Sequence, residues 1–567
     1  MAGTGSLRNR NFGSPVLKQR STTTHGTQTP DSSPVDTMPA QLLPHLSNGA
    51  PALHRKYSSP MMPPFMVSAP GKVIVYGEHA VVHGKAAIAA AISLRSYLLV
   101  SFLSKSHHTI TLRFPDIQLE HTWNIDDLPW NVFSQPGKKK YYYDLVTSLD
   151  PDLMDAIQPH INSVSPKLPE AIRKIHQNSA ACFLYLFLSL ASRKTAPCVY
   201  TLRSTIPIGA GLGSSASIAV CLSAALLLQI RALSGPHQDQ PPQECELQIE
   251  RINRWAFVGE MCIHGNPSGV DNTVSSGGKA VLFQRTDYNK PPRVLPLRNF
   301  PELPLLLVNT RQSRSTAIEV AKVATLRNDH AVLTEKILDS IGMVTESAHK
   351  LLTSPDFDPT SHDSLKHLGE LVTINHGLLV ALGVSHPKLE RIRELIDYTG
   401  IGWTKLTGAG GGGCAITILK PQPTITHHHT NGNGNGNGNG HHHHHDTSSD
   451  ESDASSDIDC SASIISTGTK LKHKILDTLE VKLEQEGFEK FETTLAGDGV
   501  GVLWPAVLHN GNEEEGGEEI DQEKFLRAEG TEGIERLVGV ESVRRKKVVR
   551  EVREGWKFWR PWEGAFA

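Results

Sequence analysis

The chain has 567 residues, a length that predicts two or three folded units and excludes a single compact core. Its formal net charge of -3 at pH 7 offers no general attraction to nucleic acid or to an anionic membrane, so neither is expected as a partner. The seven cysteines are scattered and form no CxxC pair, which argues against a disulfide framework or zinc site and favours a reducing, cytoplasmic location.

Residues 1–64 are predicted to be a disordered tail, because Ser-Pro and Thr-Pro pairs recur there without sustained apolar periodicity. These pairs leave open regulation by proline-directed phosphorylation, although a passive tail is favoured. The segment has no apolar signal-peptide core. Folded protein is therefore expected to begin at Phe65.

The first folded unit is predicted to span residues 65–300. Its pattern indicates strands at 97–103 and 109–114, followed by helices at 169–190, from Ser214 onward, and at about 244–264. The apolar run at 218–230 is too short to span a membrane and is interpreted as a buried helix.

The second unit is predicted to span residues 301–506. The strand PLLLVNT opens it, two long helical stretches follow between 315 and 397, and a strand pair flanks a glycine cluster. A low-complexity insertion at about 421–466 is predicted to be disordered; its histidine tracts could bind metal or be an expression tag, but a surface-loop insertion is favoured. A helix and an edge strand at 467–504 are expected to complete the unit, which makes the fold class α+β with two subdomains.

Residues 507–567 form a charged C-terminal extension, acidic at first and then basic and aromatic. We predict a charged surface helix whose aromatic side chains dock on the preceding domain. Membrane or nucleic-acid contact is the alternative, and the acidic residues interleaved with the short basic run argue against it.

A phosphate cradle is predicted within IPIGAGLGSSASIAVCLSAALLL, residues 206–228. Glycine-rich backbone there opens directly into a long helix, so successive N–H groups and the helix N-terminus can converge on an anion. The segment lacks the Walker pattern. A purely structural glycine turn is the alternative.

Two further segments could supply charge to that cradle. In GEMCIHGNPSGVDN, a turn could fold Asp271 back beside Glu260, giving one carboxylate for a metal and one for a hydroxyl proton. In SAPGKVIVYGEHAVVHGK, Lys72 follows a Pro-Gly turn and could hold a catalytic carboxylate ionised, while His79 could bind a substrate hydroxyl or carboxylate. The alternatives are solvated surface acids and a structural histidine.

The cluster KLTGAGGGGCAITIL suggests that backbone approaches the ligand from across a cleft.

Together, APGKVIVYGEHAVVHG, IPIGAGLGSSAS, HGNPSGVDN and LTGAGGGGCAITIL closely resemble the motifs of the GHMP kinases. GEHAVVHGK and HGNPSGVDN are most similar to the mevalonate kinase branch of that superfamily. The resemblance covers residues 65 to about 420 and again about 467 to 504. It implies a ribosomal-protein-S5-like N-terminal subdomain and a ferredoxin-like C-terminal subdomain, with ATP and substrate bound between them.

The resemblance also implies roles for individual residues. Asp271 matches the catalytic base and Lys72 its partner, Ser215 and Glu260 match Mg²⁺ ligands, and Glu78, His79 and Thr316 match residues near mevalonate. The nucleotide contacts implied are Lys72, Ser204, Gly209, Ala210, Gly211, Leu212, Gly213, Ser214 and Ser215. Asp116 aligns with an asparagine near the adenine in mammalian enzymes.

The expected activity is therefore ATP- and Mg²⁺-dependent phosphorylation of mevalonate at its C5 hydroxyl, an early step of isoprenoid and sterol biosynthesis, by a cytoplasmic homodimer. Two alternatives stay open: another kinase of the superfamily, such as a phosphomevalonate kinase, or a non-catalytic metabolite sensor. The tails and the insertion depart from the family pattern.

Overall fold

The computed structural model describes residues 62–237, 239–287, 292–420, 475–508, 517–545 and 548–561, with side chains described outside 541–552. All of these residues fall within one compact unit, Pro60–Ala567. The predicted insertion at 421–466 and all but the last three residues of the predicted tail at 1–64 lie outside the described residues.

The helices of the described ranges are numbered in chain order. They are α1 Trp130–Phe133, α2 Pro151–Asn162, α3 Glu170–Leu190, α4 Ser214–Gln229, α5 Pro242–His264, α6 Val270–Gly277, α7 Thr316–Asp329, α8 Ala331–Leu352, α9 His362–Ala381, α10 Pro387–Thr399, α11 475–485, α12 Gln522–Arg527 and α13 Gly530–Leu537. Short 3-10 helices lie at Ala80–His83, Pro115–Ile117 and Ile125–Asp127.

The strands are numbered in the same way. They are β1 Phe65–Tyr76, β2 Ala86–Phe102, β3 Thr109–Phe114, β4 Leu119–Asn124, β5 Cys198–Ser204, β6 Ala280–Gln284, β7 Arg293–Leu297, β8 Leu303–Asn309, β9 Gly402–Leu406, β10 Cys414–Leu419, β11 Glu489–Leu495, β12 Gly501–Leu503, β13 Val507–Leu508, β14 Glu518–Glu519, β15 Val540–Arg545, β16 Val548–Arg553 and β17 Lys557–Phe558.

The main sheet runs in the order β17-β12-β1-β2-β11-β8-β10-β9, with β5, β3 and β4 and, separately, β6 and β7 branching from β2. Strand β2 is 17 residues long, so it pairs with β1 along most of its length and still reaches β5 at one end and β6 at the other. Strand β2 therefore connects β5 and β6, which pair with its opposite ends, within one sheet.

The predicted edge strand near residue 490 is wrong, because β11 lies inside the sheet. It pairs with β8 from Glu489 to Leu495, and Leu495 also lies opposite Ile92 of β2. The pattern looked like an edge because charged residues occur in its first half, with Phe491 only partly buried. The strand that follows the insertion thus joins the two halves of the sheet.

The helix and strand predictions in the first unit were largely confirmed, since β3, α3, α4 and α5 lie where the pattern placed them. In the second unit the two predicted helical stretches are four helices, α7 to α10. One residue, His330, separates α7 from α8, and its backbone leaves the helical region at φ -134°. So short a break leaves the apolar period nearly continuous, which is why the sequence pattern missed it.

The apolar cores lie on both sides of this sheet. The largest packs α3, α4 and α5 against β1, β2 and β5, with Phe183, Phe187, Leu222 and Trp255 almost completely buried. Helix α4 is apolar around most of its circumference and is buried accordingly. Within the described ranges no helix combines the length and apolar character that crossing a membrane requires.

The C-terminal extension is built differently from the predicted surface helix. Its basic run forms the antiparallel pair β15 and β16, and β17 adds to the main sheet beside β12. The expected aromatic anchors are present: Trp559 is fully buried and Trp556 is 8% exposed. The alternation of Val with basic residues in KKVVREVRE suits a strand, and the charges alone suggested a helix.

Replacing Trp559 with alanine is expected to lower the free energy of unfolding by about 3–5 kcal/mol, the usual cost of removing a buried tryptophan. The indole Nε1 also donates to Gln248 Oε1 at 3.0 Å, so the substitution leaves a buried acceptor unpaired. Urea unfolding measures the change. Tyr398→Ala, at a side chain that is 85% exposed, is the control, and an equal effect of both variants would show that the extension is not anchored through Trp559.

Candidate active site

The predicted phosphate cradle is a loop between the end of β5 and the start of α4. Gly209, Gly211 and Gly213 adopt φ values of 75°, 80° and 74°, which L-residues rarely accept. Gly213 is also in close contact, because a Cβ placed there would lie 3.0 Å from Lys72 Cγ. The loop keeps Gly209 and Gly211 exposed at the N-terminus of a long helix, as an anion site requires.

Lys72 is fixed beside this loop by the strand that carries it. The predicted Pro-Gly turn before Lys72 is an irregularity within β1, where the register shifts between Pro70 and Lys72. The Lys72 amide donates to Leu212 O at 2.8 Å. Ser275 Oγ of α6 donates to Pro70 O at 2.7 Å, so β1 is tied to both the loop and α6.

Asp271 lies in the first turn of α6, directly across from Lys72. The Lys72 Nζ to Asp271 Oδ1 distance is 3.2 Å, and the two side chains are 9% and 32% exposed. The turn before α6 reverses at Gly269, with φ 83°. A nearly buried ammonium therefore faces a carboxylate that is still accessible to a ligand.

Glu260 projects from α5 and is only 4% exposed. Its Oε1 atom is buried and has no hydrogen-bond partner among the described residues. Burial first, and then the negative charge of Asp271, raises the pKa of Glu260 to about 7, while Ser215 and Lys72 oppose the shift. The predicted group of Lys72, Ser215, Glu260 and Asp271 is thus brought together in one place.

The orphaned Glu260 oxygen tests whether a metal ion fits here. A hard cation would satisfy a buried carboxylate oxygen that lacks a hydrogen-bond partner, and the nearby hydroxyl of Ser215 could offer a second oxygen. In the part of the chain that the structure describes, no group of three or more His, Cys, Asp or Glu side chains could hold a metal alone.

The raised pKa of Glu260 predicts a pH-dependent contribution to stability in the absence of metal. The folded state holds this proton up to about pH 7, whereas an unfolded glutamate releases it near its ordinary value of 4.5. Stability is therefore expected to fall by roughly 3 kcal/mol as pH rises through that window, and Glu260→Gln should remove this slope. Denaturant unfolding at several pH values, in the presence of a chelator, measures it. A wild-type slope equal to that of the variant would contradict the shift.

Ser215 and Ser204, two of the predicted nucleotide contacts, form hydrogen bonds within the protein. Ser215 Oγ lies 3.0 Å from Nε2 of His264, a residue that sequence reasoning did not single out. Ser204 ends β5, and its amide donates to Asp116 Oδ2 at 2.7 Å. Asp116 also pairs with Arg203 at 2.8 Å, so its carboxylate is already bound within the protein.

Glu78 is enclosed between the two halves of the molecule. It is 1% exposed, forms an ion pair with the fully buried Lys405, and accepts from Asn375 Nδ2 at 3.0 Å. Its side chain therefore lies behind the site and its carboxylate is held by protein groups. Lys405 and Asn375 were missed, because neither a lysine near the end of a strand nor an asparagine within a helix gives a sequence signal of burial.

His79 follows Glu78 at the entrance to a 3-10 helix, with φ 60°. Its Nε2 lies 2.8 Å from Ala409 O in the second glycine cluster, and its Nδ1 is buried without a partner. Burial lowers the pKa of His79 below its ordinary value, so the neutral ring is favoured. With Nε2 donating to the carbonyl, Nδ1 is free to accept a hydrogen bond from a hydroxyl group.

The second glycine cluster connects β9 and β10, and its residues 408 and 410–413 all have positive φ. Arg314 reaches between this cluster and the phosphate loop, where its Nη2 donates to Ala210 O at 3.3 Å. Sequence reasoning missed Arg314 although it lies two residues before Thr316, which is exposed at the start of α7. Its only sequence signal is proximity to Thr316.

Two family descriptions and two relatives that match this chain name GHMP kinases or mevalonate kinases. The family descriptions "GHMP kinases N terminal domain" and "GHMP kinases C terminal" match residues 178–279 and 361–425. The mevalonate kinase of Aspergillus fumigatus is 63% identical over 90% of this chain and 84% of its own length, and that of Gibberella zeae is 62% identical over 90% of both. A solved mevalonate kinase aligns with 76% of this chain and 99% of its own at 20% identity and a TM-score of 0.48.

Proposed function

The chain belongs to the mevalonate kinase family of the GHMP kinases, and we propose that it transfers the γ-phosphoryl group of ATP to the C5 hydroxyl of mevalonate. The products are 5-phosphomevalonate and ADP. The observation that carries the proposal is the pairing of Lys72 with Asp271 at 3.2 Å beside the glycine loop that opens α4. A sensor without turnover would have no need for this pair.

Asp271 is placed to accept the proton of the attacking hydroxyl. Lys72 pairs with the aspartate and can also contact an oxygen of the transferred group. As the new O–P bond forms, the bond to the ADP oxygen breaks and the hydroxyl proton passes to Asp271. Such transfers have loose transition states, so positioning and charge neutralisation by Lys72 and the loop amides contribute more than proton removal.

Mg²⁺ fits the donors described above, with Ser215 and Glu260 as the protein ligands and the phosphates of ATP supplying further oxygens. A bound Mg²⁺ would supply neutralisation of phosphate charge. Glu260 would have to release its proton to act as a ligand, since the ionised carboxylate is the form that binds a cation.

His79 provides an acceptor for the substrate. Its unpartnered Nδ1 can accept from a hydroxyl of mevalonate, and its contact with Ala409 links that hydroxyl to the second glycine cluster. Glu78 acts through this arrangement, because the Lys405 ion pair fixes the backbone that presents His79. Thr316 completes the proposed set from the start of α7.

The same family membership supports a cytoplasmic homodimer that acts early in isoprenoid and sterol biosynthesis, without nucleic-acid or membrane partners. Sedimentation or light scattering of the purified chain tests the dimer. A monomer at all accessible concentrations would contradict it.

Parallel measurement of ADP release with mevalonate, phosphomevalonate, galactose and homoserine tests the substrate assignment. Turnover is expected with mevalonate and not with the other three. Turnover with phosphomevalonate alone would assign the chain to a different branch, and no turnover with any acceptor would favour the sensor.

A further inference from the structure

Arg314 occupies the space between the phosphate loop and the second glycine cluster. A Cβ placed on Gly211 would lie 1.8 Å from Arg314 Nη2, and one placed on Gly413 would lie 2.6 Å from its Nε. Each distance is below a normal contact, so the absence of side chains at Gly211 and Gly413 leaves the space that the guanidinium occupies. Arg314 therefore contacts both glycine-rich segments.

The guanidinium of Arg314 forms no ion pair within the described structure, although the charge of Glu319 acts on it. Its Nη1 atom is buried there without a hydrogen-bond partner. The nearby Glu319 is paired with Lys322 at 2.8 Å. Arg314 is partly buried. Because a partly buried charge without an ion pair is unfavourable, a guanidinium held in this way is suited to an anion that arrives from outside.

The position of Arg314 identifies the anion. Its Nη2 contacts Ala210, within the loop whose amides are arranged for phosphate, and the planar fork of a guanidinium matches phosphate oxygens. We propose that Arg314 donates Nη1–H to a non-bridging oxygen of the transferred γ-phosphoryl group. This inference rests on the proposed function and adds a phosphate-contacting residue to it.

The other anion in the proposed reaction is the carboxylate of mevalonate. Both anions present oxygen acceptors, so binding measurements must separate them. ADP lacks the γ-phosphate. The ATP analogue in which an imido group bridges the β- and γ-phosphorus atoms retains it. Loss of analogue affinity with ADP affinity retained therefore reports the γ-phosphate, whereas a raised KM for mevalonate with kcat retained reports the carboxylate.

The test compares Arg314→Met and Arg314→Lys with the control Arg311→Met. Arg311 lies three residues earlier, is 61% exposed, and faces Glu489 at 3.6 Å. Arg314→Met is expected to lower kcat by about 10²- to 10³-fold, as for other single donors to developing charge. It should weaken binding of the ATP analogue but not of ADP, and Arg314→Lys should retain part of the activity. Arg311→Met should resemble wild type.

Added guanidinium ion provides a readout that a structural role would not move. It should restore part of the activity of Arg314→Ala and none to the Asp271→Asn variant. Equal losses of ADP and analogue affinity, a change confined to KM for mevalonate, or full activity of Arg314→Met would each overturn the proposal. If wild type fails to phosphorylate mevalonate, the proposed function fails, but the two nucleotide affinities still decide the role of Arg314. If Arg314→Met does not fold, Arg314→Lys carries the same comparison.

Discussion

Asp271→Asn is expected to lower kcat by about 10²- to 10⁴-fold, or 3–5 kcal/mol of transition-state stabilisation, because asparagine cannot accept the hydroxyl proton. The amide keeps the volume of the aspartate, so the contact with Lys72 and the fold should be retained. Steady-state kinetics measures kcat, and titration with ADP checks the nucleotide site.

The same variant has a second, independent signature. The negative charge of Asp271 is one cause of the raised pKa of Glu260, so its removal should lower that pKa. Asp363→Asn, at a side chain that is 99% exposed, should change neither quantity. Near-normal turnover of Asp271→Asn would remove Asp271 from the mechanism.

Lys405→Met is expected to destabilise the fold by about 3–5 kcal/mol, because it leaves the carboxylate of Glu78 buried without its counter-charge. Glu78 and Lys405 come from distant parts of the chain, and both side chains are fully buried. Urea unfolding of the full chain measures the loss. Lys350→Met, at a side chain that is 74% exposed, should be nearly neutral.

The double variant Glu78→Gln/Lys405→Met distinguishes a broken ion pair from lost packing. It should be more stable than Lys405→Met alone, because no unpaired charge remains. If the double variant is the less stable of the two, the effect of Lys405 is one of packing. The KM for mevalonate should rise in the single variant, because the displaced backbone no longer presents His79.

Several features followed from the sequence because they depend on local chemistry. The glycines before Ser214 indicated the predicted phosphate loop, since other residue types rarely accept that backbone conformation. The apolar period located α3, α4 and α5 within a few residues. The motif pattern identified the family, which the relatives in Aspergillus fumigatus and Gibberella zeae confirm.

Other features depended on which segments meet, and no local pattern encodes that. Strand β11 resembled an edge strand but lies between β2 and β8, because pairing is decided by partners far along the chain. The C-terminal run of charges suggested a helix, yet its valines form a strand pair and its tryptophans pack onto the fold. In both cases tertiary contacts outweighed a weak local preference.

The sequence by itself determined the glycine loop before α4, the family and the residue types of the Lys72–Asp271 pair, because glycine conformation, motif composition and charge are local properties. The tertiary structure alone decided that Glu260 is desolvated beside Asp271, that Glu78 is paired with Lys405, and that Arg314 lies between two glycine loops without an ion pair. Burial and the distance between charges set these interactions, and both arise only when distant segments pack together.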